Sequence, residues 1–339
     1  MPLALRIASF PITALDRARL VFLRGLGPWA KPLVRDRELR VAVVGTLSVL
    51  IALLLTALAP LALLALGPIA LGVPHAAADV RYLVTRPGLH RRPLFWVLVM
   101  VPLVALVVSF DVRWGAVAVM GGALASQASL SRRVLLASVG AALLALAWSH
   151  SYTVALFAAH LHNLVAMGFW LAWRRARRGR LYLVPVFATA AGAALIMAGA
   201  LEPVAAWTGG LSGYVGDVDL GFHLSSLAPG VEEPWGTRLV LLFAFAQSVH
   251  YAIWLRLVPE EDRERETPRT FAASLRAFRQ DSGAWVVAAA FVLCAIVAVW
   301  AIFDLYGARM GYLRGVLFHG WMELGIVMLL LAEGRRLGA

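Results

Sequence analysis

The chain is poor in cysteine and in charged residues. Cys294 is the single cysteine among 339 residues and lies in an apolar run, which excludes a disulfide framework and a paired-cysteine metal site. Charged residues make up 15% of the chain and hydrophobic residues 61%, whereas soluble domains contain about 25% and 45–50%. The first twenty residues also lack an uncharged apolar stretch long enough for a cleavable signal peptide. This composition predicts a polytopic integral membrane protein.

Ten apolar runs have roughly the length that an α-helix needs to cross a bilayer. We therefore predict an all-α bundle of about ten transmembrane helices. One transmembrane domain would span 41–334 after a cytoplasmic segment over 1–40, and no repeat of fixed period is present. The predicted spans are 41–58, 61–84, 93–110, 114–131, 134–149, 151–173, 181–201, 237–257, 283–303 and 313–333.

The positions of the basic residues along the chain agree with ten spans. With both termini in the cytoplasm, 27 of the 31 lysines and arginines fall on the cytoplasmic side, as the positive-inside rule expects. The long loop 202–236 then faces outward and the loop 258–282 faces inward. The net charge of +12 is thus explained by topology and by contact with anionic membrane lipid, and no nucleic-acid partner is expected.

Two polar segments on the cytoplasmic side predict helices outside the bilayer. Residues 11–26 place leucine and valine against Arg17, Arg19 and Arg24, a pattern typical of an amphipathic helix on a membrane surface. The run EEDRERE over 260–266 alternates in charge and predicts a short solvated helix.

Histidines are concentrated in the predicted spans, where ionisable groups are costly and usually mark a functional site. His75 precedes Asp79 by four residues and His319 precedes Glu323 by four, so each pair lies on one helix face. Histidine with carboxylate is the usual ligand set of a catalytic transition metal. Six of the eight histidines lie in or at the margins of spans: His75, His150, His160, His162, His250 and His319.

We predict that five of these histidines are metal ligands: His75, His160, His162, His250 and His319. Asp79, Glu323 and Tyr251 are predicted to act beside them as catalytic or orienting groups. His160 and His162 are two residues apart, about 200° around a helix, so only one of them is expected to face the site. Pro74 interrupts the hydrogen bonding of its helix, which favours a pocket beside His75.

The depths of these residues leave one site or two sites open. His75 and His250 each precede an arginine by six residues, which places both about 9 Å above the inner membrane boundary. His319 is expected more than about 10 Å further out if its helix is straight and untilted. His319 and Glu323 therefore join the His75 site or form a second one.

Three functions fit these residues. The first is a metal-dependent oxygenase or other oxidoreductase that acts on a lipophilic substrate and keeps open coordination positions for O₂. The second is a transporter or proton-coupled permease, because intramembrane histidines and acids also build proton relays. The third is a haem b electron-transfer protein in which His75 and His250, at similar depth, are the two axial ligands.

The segment Gly72-Val73-Pro74-His75-Ala76-Ala77-Ala78-Asp79 resembles the G-x-P-H-G-x-x-D segment of the Brp/Blh membrane proteins, the bacterial and archaeal β-carotene 15,15′-dioxygenases. Position 76 is alanine where the pattern has glycine. The resemblance implies a non-haem Fe(II) held by histidines of several helices, and cleavage of β-carotene with O₂ to retinal. It makes His75 an iron ligand and Asp79 its neighbour. On this basis we expect a multi-pass protein of the bacterial inner membrane.

Overall fold

The computed structural model describes residues 3–173, 179–213, 215–262 and 267–335, and the side chains from residue 12 onward. Throughout these ranges the chain forms helices and turns, with no strand. Some residues used in the predictions above lie outside the described ones. They are Arg336, the charged residues 263–266 and four basic residues between the predicted spans 151–173 and 181–201, which are Arg174, Arg175, Arg177 and Arg178.

Helices follow one another along the described chain with short connections. Their bounds are α1 (Leu3–Gly25), α2 (Ala30–Arg35), α3 (Arg37–Leu58), α4 (Pro60–Thr85), α5 (Pro93–Ser109), α6 (Val112–Leu124), α7 (Leu130–Ser149), α8 (Ser151–Trp173), α9 (Leu183–Met197), α10 (Glu202–Trp207), α11 (Leu220–Leu227), α12 (Trp235–Glu261), α13 (Phe271–Ser282), α14 (Ala284–Phe303), α15 (Leu305–Gly315) and α16 (Phe318–Glu333).

Seven helical segments in the described chain are long and apolar enough to cross a membrane: α3, α4, α7, α8, α12, α14, and α15 with α16. The apolar helices α5, α6 and α9 are shorter. The chain is thus a multi-pass membrane protein with an all-helical fold. The predicted run 114–131 was wrong at its C-terminal end, because α6 ends at Leu124 and a turn separates it from α7.

Three of the four helical segments that carry the predicted site residues are the most enclosed of the seven, whereas α8, with His160 and His162, is only 22% buried. In the most apolar stretch of each, 61% of α12, 50% of α15 with α16, and 44% of α4 are buried, against 11% of α14. Helices on the outside instead expose apolar side chains such as Ile302 and Phe303. The sequence thus places His75, His250 and His319 on the inner helices and its purely apolar helix at the periphery, where lipid would cover it.

Glycines fix the position of α16 by close helix contact. A Cβ atom at Gly122 would overlap the carbonyl oxygen of Gly325 in α16, and one at Gly121 would overlap the carbonyl oxygen of Leu98 in α5. Small residues allow such approach between backbones inside a bilayer. The Gly122 contact holds the segment that carries Glu323 against α6, and the Gly121 contact holds α5 against α6.

Prolines and wide turns interrupt the two helices α4 and α12. Pro68 has no N–H to bond to the carbonyl oxygen of Leu64, and Arg309 Nε donates to that oxygen at 2.9 Å instead. In both helices a π-helical turn follows the site residues closely, at Val80–Thr85 in α4 and Ile253–Leu257 in α12. Such turns occur frequently at functional sites.

The inner loop differs from its prediction. Helix α12 continues to Glu261, and both Glu260 and Glu261 are buried, so the prediction of a solvated helix was wrong for these residues. Glu260 Oε2 lies 3.1 Å from the Arg40 guanidinium, and this ion pair offsets the cost of burying the carboxylate. The helix of this loop is α13, which lies further along the chain.

Candidate metal centre

Three imidazoles from three different segments meet at the centre of the bundle. His75 of α4, His250 of α12 and His319 of α16 each offer a ring nitrogen, and these nitrogens all lie within 4.8 Å of one another. The ring centroid of His75 is 5.3 Å from that of His250 and 5.0 Å from that of His319. Among the described residues, neither nitrogen of His75 or of His250 has a hydrogen-bond partner.

A fourth imidazole, that of His162 in α8, completes the histidine cluster. Its ring centroid lies 4.9 Å from that of His250 and 5.0 Å from that of His319. His160 points elsewhere, because its Nε2 lies 2.8 Å from the carbonyl oxygen of Leu227 and its ring packs on Phe243. The structure therefore brings His162 to the cluster and leaves His160 outside it.

Backbone carbonyls orient two of the clustered rings. His162 Nδ1 lies 2.9 Å from the carbonyl oxygen of Ala159, and His319 Nδ1 lies 2.6 Å from that of Val316. A proton on each Nδ1 satisfies these contacts and leaves the lone pair on Nε2, the usual arrangement of an imidazole that binds a metal. His319 Nε2 has no hydrogen-bond partner in the described part of the chain.

Two buried carboxylates lie beside the histidines. Asp79 and Glu323 are fully buried and near enough for their charges to interact. Glu323 Oε1 accepts a hydrogen bond from Trp254 Nε1 at 3.0 Å. Glu323 Oε2 and both oxygens of Asp79 have no hydrogen-bond partner among the described residues. Uncompensated charge at these positions would cost several kcal/mol, so a proton or a cation is needed there.

Two tyrosines border the cluster. The ring of Tyr251 lies 4.6 Å from that of His75 between centroids, as its predicted place beside the site requires. Tyr312 was not singled out from the sequence, but its buried hydroxyl has no hydrogen-bond partner within the described ranges. A Cβ at Gly72 would overlap its ring, so the glycine of the G-x-P-H segment makes room for Tyr312.

The predicted depth difference for His319 was wrong. Leu305–Glu333 has 29 residues, about 43 Å of helix, which exceeds the roughly 30 Å of hydrocarbon in a bilayer. A break at Val316 and Leu317 divides the segment. Counting residues from its inner end therefore does not give the depth of His319, and the structure places this side chain in the same cluster as His75.

The cluster has the donor set of a transition-metal site. Imidazole nitrogens with free lone pairs, next to carboxylates one helical turn along the same helices, suit iron, zinc or copper. The unpartnered nitrogens and oxygens are the groups that a cation would satisfy. His150 does not contribute, because it is exposed and its Nδ1 lies 2.8 Å from Ser149 Oγ.

Comparison of the chain with protein-family models, with curated proteins and with solved structures finds no match.

Proposed function

We propose that this protein is a metal-dependent membrane oxidoreductase, an oxygenase that uses non-haem Fe(II) and O₂ on a lipophilic substrate. The observation that carries the proposal is the convergence of His75, His250 and His319, whose ligand nitrogens lie within 4.8 Å of one another. Both ring nitrogens of His75 and His250, and Nε2 of His319, have no hydrogen-bond partner among the described residues. Such unpartnered imidazoles from separate helices have no evident role as packing residues inside a bundle.

A carotenoid is the substrate that we propose. It partitions into the bilayer, and the residues Gly72–Asp79 resemble a carotenoid-cleaving family. The reaction joins one O₂ molecule to one central double bond, which breaks and leaves two aldehydes, so that atoms balance without a further reductant. When bound, Fe(II) supplies the activation of O₂.

The protein's own side chains would then hold the iron and orient the groups around it. His75, His162, His250 and His319 supply neutral nitrogen ligands. The indole N–H of Trp254 holds Glu323 in place, and Asp79 compensates positive charge near His75. Tyr251, in contact with the His75 ring, is suitably placed to limit where substrate approaches. The enclosing apolar helices exclude water from reactive groups.

The topology belongs to the same proposal. The short helices α5, α6 and α9 would cross the membrane together with the seven longer segments, which gives ten spans with both termini in the cytoplasm. A bacterial inner membrane is the proposed location.

The alternatives have less support. A porphyrin between His75 and His250 would extend into the space beside them, where His162 lies 4.9 Å from His250 and His319 lies 5.0 Å from His75 between ring centroids. A proton-coupled permease would use Asp79 and Glu323 as proton carriers and would need no metal. The metal content of the purified protein therefore separates the permease from the oxygenase.

The test is the metal content and the carotenoid turnover of the purified full chain, reconstituted with Fe(II) without oxygen and then exposed to O₂. We expect about one iron per chain, with loss of iron and turnover in His75→Ala, His162→Ala and His250→Ala. His160→Ala on the same helix as His162, and His150→Ala at the surface, are matched controls that should keep both. The proposal would be refuted if the wild type contained no iron, or if all three cluster variants kept the iron content of the wild type.

A further inference from the structure

A cavity of about 890 Å³ lies beside the metal centre, between α1, α13 and the parts of α3, α4 and α12 that carry Arg40, Arg81 and Arg256. Most of its lining is apolar, and phenylalanines from α1, α13 and α14 contribute to it. The metal-centre residues themselves do not line it, so the cavity is a separate feature of the fold.

The charged side chains that line this cavity in the described part of the chain are all basic. Among the described residues, its lining includes no aspartate or glutamate and five arginines, which are Arg19, Arg40, Arg81, Arg256 and Arg269. An apolar cavity with a positively charged end is complementary to a molecule with an apolar body and an anionic head.

Carboxylates behind the lining neutralise only part of this charge. Arg40 and Arg256 share one carboxylate, that of Glu260, at 3.1 and 3.4 Å, and Arg81 pairs with Asp281 at 2.6 Å. The Arg19 guanidinium donates to the carbonyl oxygen of Arg269 at 2.8 Å, and no described carboxylate forms an ion pair with it. Positive charge therefore remains at Arg19, which is close enough to Arg256 for the two charges to repel each other.

Another part of the cavity lining is apolar. Pro74, Ala77 and Ala78 of α4 line it together with Trp254, the residue that donates to Glu323. Alanines leave space for a chain where larger residues would fill it. Pro74 is next to His75 in sequence, so this apolar part of the lining lies close to the metal centre.

Helices α1 and α13 form a fixed cover over the cavity. The Asp16 carboxylate of α1 accepts hydrogen bonds from the first backbone N–H groups of α13, those of Phe271 at 2.7 Å and Ala272 at 3.2 Å. A carboxylate at a helix N-terminus is favourable. The predicted amphipathic helix is thus tied to the inner loop, and part of its apolar face lines the cavity through Leu15, Phe22 and Leu23.

We propose that this cavity binds a single-chain lipid with an anionic headgroup, a carboxylate or a phosphate. The headgroup lies at Arg19 and Arg256, and the chain runs toward Ala77 and Trp254. A volume of 890 Å³ is within the range of about 300–1,000 Å³ for pockets that enclose one small ligand. The inference stands apart from the oxygenase proposal, because binding can be measured without metal.

The test is titration of the metal-free full chain, in nanodiscs of zwitterionic phosphatidylcholine, with oleate, oleyl phosphate and oleyl alcohol. Native mass spectrometry counts the bound molecules. Charge-assisted hydrogen bonds predict that the two anions bind at least about tenfold more tightly than the alcohol. Arg19→Gln should remove most of this preference, and Arg19→Lys should restore part of it. Arg17→Gln, on an exposed position of the same helix, is the matched control and should bind like wild type.

A further substitution tests the apolar part of the cavity. Ala77→Leu fills the cavity near Trp254 and should weaken binding of all three chains while leaving the preference for anions. The proposal would be overturned if oleate and oleyl alcohol bound with equal affinity. It would also be overturned if Arg19→Gln and Arg17→Gln had the same preference for anions. Inorganic phosphate that competes with oleyl phosphate at equal concentration would show an ion site without a chain site, and would overturn it as well.

Discussion

Individual residues show how the candidate centre is kept ready for a cation. His162 and His319 use one ring nitrogen to contact a backbone carbonyl three residues earlier, which leaves the other nitrogen for a metal. The sequence predicted that only one of His160 and His162 faces the site, but not which. Their orientation depends on how α8 is rotated against its neighbours, and the carbonyl of Leu227, 67 residues away in sequence, holds His160 outside.

Trp254 is the residue whose role depends most on a single hydrogen bond. Trp254→Phe keeps an aromatic ring but removes the N–H that donates to Glu323. Partners that orient groups around a metal typically contribute 10- to 100-fold in metal affinity, so we expect an iron dissociation constant raised by about that factor. Iron titration of the folded variant measures it. Trp285→Phe, at a position 89% exposed, is the control and should leave the affinity unchanged.

His223 lies outside the membrane-spanning segments, and its burial predicts that the stability of the folded chain depends on pH. Burial, with the nearby charge of Arg309, lowers the pKa of His223 from 6.5 to about 4. The unfolded chain therefore takes up this proton at higher pH than the folded chain. The stability contributed by neutral His223 is complete above about pH 6.5 and is lost as the pH falls toward 4.

Thermal unfolding in detergent between pH 4 and 7 measures this effect. The melting temperature of the wild type should fall more steeply below pH 6.5 than that of His223→Gln, whatever the absolute stability of the variant. Parallel curves for the two proteins would show that His223 does not titrate as described.

At the scale of helices, composition and apolar run length predicted most of the structure. Each predicted span overlaps an observed helix, because burial in lipid requires continuous apolar backbone-paired segments. The sequence did not predict the π-helical turns after Asp79 and Tyr251, nor the break before His319. Apolar periodicity indicates which side chains are buried, but not where the backbone hydrogen bonding changes register.

Close contact of α6 with α16 should make Gly122 intolerant of a side chain. Gly122→Ala would place its Cβ on the carbonyl oxygen of Gly325 and force the helices apart, so we expect a large loss of thermal stability and of bound iron. Gly168→Ala is the matched control, since nothing lies within 4 Å of a Cβ there and alanine favours a helix by about 1 kcal/mol. A Gly122→Ala protein as stable as Gly168→Ala would contradict this packing.

For the whole molecule, the three most enclosed of the membrane-length segments, α4, α12 and α15 with α16, carry His75, His250 and His319. This arrangement is that of a lipid-embedded bundle with a protected centre. The basic residues also predicted the sidedness of the loops, which the fold alone does not determine.

Cysteine labelling tests that sidedness. In a Cys294→Ser background, Ser212→Cys and Thr267→Cys each introduce one thiol at an exposed position, in the predicted outer and inner loops. A membrane-impermeant maleimide added to intact spheroplasts should label Ser212→Cys, and should label Thr267→Cys only after permeabilisation. Labelling of Thr267→Cys in intact spheroplasts would show that the predicted topology is wrong.

The central claim is that the clustered imidazoles hold one metal ion, and X-ray absorption spectroscopy tests it most directly. The full chain is loaded with Fe(II) in the absence of oxygen, and the imidazole ligands of the iron are counted from the scattering of their rings. We predict at least three imidazoles in wild type and one fewer in His319→Ala. Iron bound by oxygen ligands alone, or a spectrum unchanged by His319→Ala, would contradict this account.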